Sequence, residues 1–360
     1  MMKSILFCPE STAYDERWEG VKLGCSEAVS LLGVDEAAPL SSLEQYLSNS
    51  AAQHRADLNL WYDYMEPRNN DVHKTLLNFL QEVKTMNFLE SPRSSLHELR
   101  VIKSAAEIKL MRESCRVGAE ALKKTIMASR DLSTETQVLG TVGYHCHMSG
   151  ADHLAYPPVI AAGNNSTVIH YIAATDAVDP DDLVLVDAGC EYHGYSSDIT
   201  RTWPAGGVWS SEQSELYQLV LDTQQSLISS IVPGVTSVDS LYRDMQTQLG
   251  QHLQEVGLIE RDAQYLTARV HEFCPHHVSH YLGMDVHDCS RVSKKRALEQ
   301  GMVITVEPGV YIPQSRVSVE RRWRGLGCRI EDDLLITDTG VEVLSEACPK
   351  TVEDITKLIV

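Results

Sequence analysis

Two acidic pairs and a run of histidines carry the strongest chemical signal in this chain. Asp187 and Asp198 stand eleven positions apart in Leu183 to Trp203, LVLVDAGCEYHGYSSDITRTW. The stretch reads as a strand running into Asp187, a turn near His193-Gly194, and a second strand carrying Asp198 back. A simple hairpin sets the two aspartates opposite each other, on one face if the register holds. Like charges so placed repel across only about 4.5–5.5 Å at Cβ, and a buried carboxylate without a partner is costly or neutralises. A positive group is therefore expected between them. The alternative is a solvated pair on an exposed hairpin, against which Val184 and Val186 suggest a buried strand.

The second pair is Glu307, ending the apolar segment MVITVEPG, and Glu331 within GCRIEDDLLIT. Both interrupt segments that read as buried strands, which is hard to justify unless the acids are paired or coordinated. Arg329 lies two positions before Glu331 and so shares its strand face. It is either a plain ion-pair partner or a group that orients a carboxylate or a substrate carbonyl. The segment HEFCPHHVSHYLGMDVHD, residues 271–288, holds five of the fourteen histidines. A lone histidine is usually a satisfied polar residue; a cluster beside buried carboxylates points to a metal or acid–base site, with His276, His280 and His287 as candidates. His271 and His277 keep the ordinary reading. His170, in NNSTVIHY, is read as ending another apolar strand.

Two aspartates, two glutamates and a histidine make an oxygen-rich set. Such ligands suit Mn²⁺, with Zn²⁺, Co²⁺ or Fe²⁺ also compatible, and four carboxylates exceed the needs of one ion. Two bridged ions, typically about 3.5–4 Å apart, turn a shared water into hydroxide near neutral pH and polarise a carbonyl. Amide hydrolysis is the natural reaction.

The elements that must position these residues are legible in outline. Residues up to about 90 alternate short apolar segments, such as 4–7 and 58–62, with helical stretches at 26–32 and 73–86, the pattern of a small α/β unit. SPRSSLHELR, at about 91–100, reads as a polar linker. The domains expected are thus 1–95 and 96–360. Ser104-Ala-Ala-Glu107 is a capping box opening a helix, and further helices are expected at about 134–148, 211–231 and 238–256. LVLVDAG at 183–189 and MVITVEPG at 302–309 each follow helices and precede a returning acidic strand, a weak internal repeat that a duplicated unit around a shared site would explain.

Composition narrows the function. The 360 residues are 43% apolar and 22% charged, ordinary for a globular chain, and a net charge of −19 argues against nucleic acid or anionic membrane as partners. Small molecules and peptides stay open as substrates. Nine cysteines without a CxxC pair fit reduced thiols in the cytoplasm or an organelle matrix. The apolar runs are shorter than a membrane span, and the apolar segment in MMKSILFCPE is too brief for a secretory signal.

Together VDAGCEYHGYSSDITRTWP, HHVSHYLGMDVHD, VITVEPGVY and GCRIEDDLL resemble the dinuclear metallopeptidases of the pita-bread fold, most closely aminopeptidase P. HHVSHYLGMDVHD, with His277 where many relatives have glycine, looks like the mitochondrial-type branch. The resemblance covers about residues 97–345, more weakly what precedes them. It implies a mixed α/β (α+β) fold with a pseudo-two-fold catalytic domain, preceded by a shortened N-terminal α/β domain, and a hydrolase that removes an N-terminal residue preceding proline. Metal ligands implied are Asp187, Asp198, His280, Glu307 and Glu331, with Asp198 and Glu331 bridging two Mn²⁺ ions and Glu307 taking the proton of the attacking water. His170, His276 and His287 match substrate-site histidines, Tyr156 a substrate-contacting tyrosine and Arg329 a supporting arginine. A homodimer in mitochondria or cytoplasm is expected, acting on peptides with proline second. Prolidase, methionine aminopeptidase and a catalytically silent binding protein are the alternative readings.

Overall fold

The computed structural model describes residues 3–53, 59–64, 67–82, 88–261 and 265–359. The chain divides between Ser95 and Leu96 into two compact units. In the first, β1 (Ile5–Cys8) is followed by α1 (Ala13–Glu19), α2 (Cys25–Leu32) and β2 (Glu36–Pro39), and the two strands pair in parallel. After α3 (Leu43–Gln53), β3 (Asn59–Trp61) pairs in parallel with β4 (Phe88–Glu90) across α4 (Asn70–Glu82). Parallel pairing requires such helical crossovers, which is why apolar and helical stretches alternate here. The helix expected at 26–32 is α2. Of the one expected at 73–86, residues 73–82 lie in α4, while 83–86, like Leu58 of the segment at 58–62, lie outside the described residues.

The stretch expected as a linker is mostly helical, α5 (Arg93–Val101). Pro92 stands just before it, where a proline costs a helix nothing. Its polar sequence has no apolar stripe to reveal it. Ionic ties fix its later turns instead, with Arg100 reaching Asp285 and Asp288 at 2.8 and 2.7 Å and Glu98 reaching Arg296 at 2.5 Å.

In the second unit α6 (Ala105–Met127) opens on the expected capping box. The Ser104 N–H donates to Glu107 at 2.7 Å and the Glu107 N–H to Ser104 Oγ at 3.4 Å. Then come α7 (Glu135–Met148), β5 (His153–Leu154), β6 (Val159–Ala162), β7 (Leu183–Ala188), β8 (Cys190–Tyr192), β9 (Tyr195–Ser196) and β10 (Ile199–Pro204). The second half repeats the plan with α8 (Ser211–Ser229), α9 (Val238–Glu255), α10 (Leu266–His271), β11 (Val303–Val306), β12 (Gly309–Ile312), β13 (Leu326–Arg329), β14 (Asp332–Ile336), β15 (Val341–Val343) and a closing α11 (Val352–Ile359).

Each half supplies two long helices and a three-stranded antiparallel sheet, ordered β10-β7-β6 in the first and β11-β14-β15 in the second. The Glu331 N–H donates to the Thr200 carbonyl at 3.0 Å, tying the two sheets together where the acidic residues lie. A continuous core under both sheets buries Leu122, Trp203, Tyr217 and Trp323 to 1% exposure or less. No helix among the described residues is long and apolar enough to cross a membrane.

Candidate metal centre

The β7–β10 hairpin sets the first acidic pair in the register that its two-residue turn dictates, and that register does not oppose the two aspartates directly as expected. Ala188 pairs with Ile199 and Asp187 with Thr200, so Asp198 sits two positions from direct opposition. An offset of two keeps the carboxylates on one face as diagonal neighbours. The turn is His193-Gly194, with φ of 49° and 81°, the left-handed pair a two-residue hairpin prefers. At Gly189 the strands approach so closely that a Cβ would lie 1.7 Å from the Ser197 carbonyl oxygen. Only glycine fits there.

Glu307 directly follows β11 and Glu331 directly precedes β14. Each stands at a strand end rather than within a strand, and the Val306–Asp332 pairing, continued one step, sets them opposite each other. His280 is placed by a short ladder beside β11. The Leu282 N–H donates to Val303, the Thr305 N–H to His280 and the Glu307 N–H to Val278, at 3.0, 3.0 and 2.9 Å. The histidine thereby comes level with the end of β11, and its Nε2 lies 3.3 Å from Asp198 Oδ2 and 3.7 Å from Glu307 Oε1.

All five side chains line one cavity of about 390 Å³, together with His170, His276, His287 and Arg329. Asp198, His280 and Glu331 each offer a ligand atom, all within 4.8 Å of one another. Tyr156 donates its hydroxyl to Asp187 and Asp198, at 2.6 and 2.5 Å. Arg329 is not the partner of Glu331 beside it: its guanidinium donates to Asp187 at 2.6 Å, to Thr200 Oγ1 at 3.1 Å and to Tyr311 Oη at 2.8 Å. The Thr200 hydroxyl in turn donates to Glu331 at 2.6 Å.

One buried arginine thus faces four acids, and the titration of the group records the imbalance. Burial, with the charges of Asp198 and Asp187, pushes Glu307 up to about 7 against the pull of His280 and Arg329. Burial and the same neighbouring acids push Glu331 far above the usual carboxylate range. Burial also raises Asp198, against its hydrogen bond to His280. Burial alone would lower His280; the Asp198 hydrogen bond and the Glu307 and Asp198 charges take it up to about 9.

The residues fit divalent cations. His280 Nδ1 lies 3.1 Å from the Tyr281 carbonyl, an acceptor only, so Nδ1 carries a proton and Nε2 turns its lone pair toward the carboxylates when the ring is neutral. His276 is arranged differently. Its Nδ1 donates to the His277 carbonyl at 2.9 Å and its Nε2 meets the Tyr311 hydroxyl at 2.9 Å, so both nitrogens are engaged. Burial and then the Arg329 charge take it down to about 4, hence neutral. Nδ1 also lies 3.8 Å from Glu307.

His287 is exposed, edge-on to His280 at 4.6 Å between ring centres. His170 does not end a strand: it sits in a turn after the 3₁₀ segment Gly163–Thr167, where NNST favours a turn over a ladder. Tyr311 and Thr200 were not read from the sequence as site residues. A tyrosine and a threonine in strand-like segments look like ordinary strand formers, and the available signals were position alone: Thr200 two after Asp198, Tyr311 four after Glu307.

The profile of Metallopeptidase family M24 matches residues 109–338, and that of Aminopeptidase P, N-terminal domain, matches residues 1–61. The chain belongs to metallopeptidase family M24. Among its M24 relatives, Xaa-Pro aminopeptidase 3 of Rattus norvegicus is 40% identical over 359 residues, 99% of this chain and 70% of that protein. Intermediate cleaving peptidase 55, mitochondrial, of Arabidopsis thaliana is 40% identical over 354 residues, 98% of this chain and 69% of that protein. Among solved structures, Zn-substituted E. coli aminopeptidase P in complex with product superposes with a TM-score of 0.90 at 32% identity, covering 99% of this chain and 82% of that one. The expected mixed α and β fold, with an M24 pita-bread domain, is therefore the fold of this chain.

Proposed function

We propose that this M24 chain hydrolyses the N-terminal Xaa-Pro bond of peptides at a dinuclear metal centre held by Asp187, Asp198, His280, Glu307 and Glu331. The convergence of four carboxylates and one imidazole on a single cavity carries this reading. Asp198 and Glu331, which with His280 offer ligand atoms within 4.8 Å of one another, would be the ligands shared between the two ions, as the resemblance to aminopeptidase P implies. When bound, two divalent ions supply Lewis acidity, lowering the pKa of water and polarising the scissile carbonyl. The oxygen-rich set favours Mn²⁺, and Zn²⁺ or Co²⁺ suits it too, as the Zn-substituted relative illustrates.

The chain's own groups do the rest. Glu307 accepts the proton of the attacking water and passes it toward the leaving nitrogen. Arg329 holds Asp187 and, through Tyr311, fixes His276 beside Glu307. His170 and His287, on the cavity wall, hold the peptide and donate to charge growing on the scissile carbonyl. Tyr156 pins the first acidic pair and borders a second, apolar hollow of about 210 Å³ with Pro157, Val159, Ile172 and Val286. Proline brings no N–H to the bond, so its selection rests on the shape of the pocket that takes its ring.

In this reading residues 1–95 are an N-terminal α/β domain and 96–360 the catalytic domain. We assign a homodimer and a location in mitochondria or cytoplasm; the mitochondrial relative supports the first of the two locations. The test is release of the first residue from an Xaa-Pro-Pro tripeptide, an Xaa-Pro dipeptide and a proline-free peptide, with and without Mn²⁺. Metal-dependent cleavage of the tripeptide is expected. Cleavage of the dipeptide alone would make the chain a prolidase-like enzyme, and no cleavage despite bound metal would make it a binding protein.

A further inference from the structure

We propose that Glu135 is a positioning residue that sets His170 over the cavity by holding the loop 163–176. The proposal rests on the assignment of His170 to the substrate site. Glu135 is the first residue of α7 and its side chain is fully buried. Four donors converge on it, two per oxygen. Oε1 accepts from the Ala162 N–H at 2.9 Å and Asn165 Nδ2 at 3.0 Å, and Oε2 accepts from the Tyr171 hydroxyl and the Asp176 N–H, both at 2.9 Å. That number matches the acceptor capacity of an ionised carboxylate.

All four donors belong to one loop and the strand residue that leads into it, and Tyr171 directly follows His170. The segment 168–175 has no strand pairing of its own. Its remaining ties to α7 are few: the Glu135 N–H donates to the Asp176 carbonyl at 2.9 Å and Thr136 Oγ1 to the Ala174 carbonyl at 2.8 Å. At its near end the loop lies against β13, where a Cβ on Gly327 would stand 2.0 Å from the Ser166 carbonyl oxygen. His170 lines both the 390 Å³ cavity and the 210 Å³ hollow, so its place depends on the path of this loop. A glutamine at 135 keeps the volume but turns one acceptor oxygen into an NH₂ donor, opposing two of the four donors. The carboxylate therefore does what a backbone ladder does elsewhere in the sheet.

The test uses the full chain loaded with Mn²⁺ and the Xaa-Pro-Pro tripeptide. Glu135→Gln and Tyr171→Phe are made alone and in a His170→Ala background, with hydrogen exchange followed over 163–176 and over the hairpin 183–204. Each single change is expected to lower kcat/KM by about tenfold or more, because small misplacements of a binding group are costly. In the His170→Ala background the further loss is expected to stay under about twofold, since residues acting through one group are not additive. Exchange should quicken in 163–176 and stay as in the parent over 183–204. An equal loss with and without His170, or unchanged exchange in the loop, overturns the proposal. Should Glu135→Gln not fold, Tyr171→Phe carries the same cycle. If the parent chain cleaves no peptide, the activity assignment fails, and the exchange measurement still decides whether Glu135 fixes the loop.

Discussion

In the proposed mechanism Glu307 is the residue on which the chemistry turns. It lies between His280 and His276, 3.7 and 3.8 Å away, and carries a carboxyl that burial and neighbouring acids raise to about 7. Exchanging it for glutamine keeps the volume but removes the base. Glu307→Gln is expected to lower kcat for the tripeptide by about 10²–10⁴-fold, with the circular dichroism spectrum and melting temperature close to those of the parent. Retained turnover would reject the role. The four acids were legible because a charged residue at the end of an apolar strand has few structural reasons to be there, and His280 because of the density of histidines around it. Their supports were not: the hydroxyls of Tyr311 and Thr200 gain meaning only once the fold brings Arg329 and Glu331 against them.

Among the elements, the β7–β10 hairpin does most to position the centre, and its register is enforced at Gly189. A side chain there must displace the Ser197 backbone. Gly189→Ala is expected to destabilise the protein by about 3 kcal/mol, at the upper end of ordinary overpacking, measured as a lower denaturant midpoint with unchanged slope; a midpoint like the parent's would refute the close approach. The strand positions were readable from their continuous apolar runs, and the two-residue offset follows from the turn itself: a two-residue turn at His193-Gly194 pairs Tyr192 with Tyr195 and hence Asp187 with Thr200. Helix α5 escaped for a different reason: ion pairs hold its later turns, and ion pairs leave no periodic trace.

The segment 276–280 is braced from outside by His277, which stacks on Tyr242 of α9 with ring centres 4.6 Å apart. Burial, then the Lys294 charge, takes His277 down to about 4 from its ordinary 6.5. The unfolded chain therefore binds its proton more readily, so this contribution to stability is full above about pH 6.5 and is lost as pH falls toward about 4. His277→Phe keeps the stack and removes the proton site. Its stability is expected to fall less steeply than the parent's between pH 6.5 and 4, followed by denaturant unfolding across that range. Parallel curves would show that His277 does not titrate as described.

At the scale of the whole molecule, the paired halves explain why a chain of net charge −19 gathers four acids at one place. Each half contributes one acidic pair from the mouth of its own sheet, and the Glu331–Thr200 backbone bond brings the mouths together. The repeat was visible in LVLVDAG and MVITVEPG, but the meeting of the two sheets is a tertiary fact that local sequence does not encode. Brought together, the acids repel, and cations that bind only the folded form should stabilise it. At 100 times Kd one ion adds about 2.7 kcal/mol.

The most direct measurement is a calorimetric titration of Mn²⁺ into the metal-stripped full chain, with the melting temperature read at each end and the Asp198→Asn, Glu331→Gln double variant as control. Two ions bound per chain, a raised melting temperature, and the loss of both in the double variant are the predicted result. A parent chain whose melting temperature and heat of mixing are indifferent to Mn²⁺, or a double variant that binds two ions as the parent does, would contradict the assignment of this cavity as a dinuclear centre.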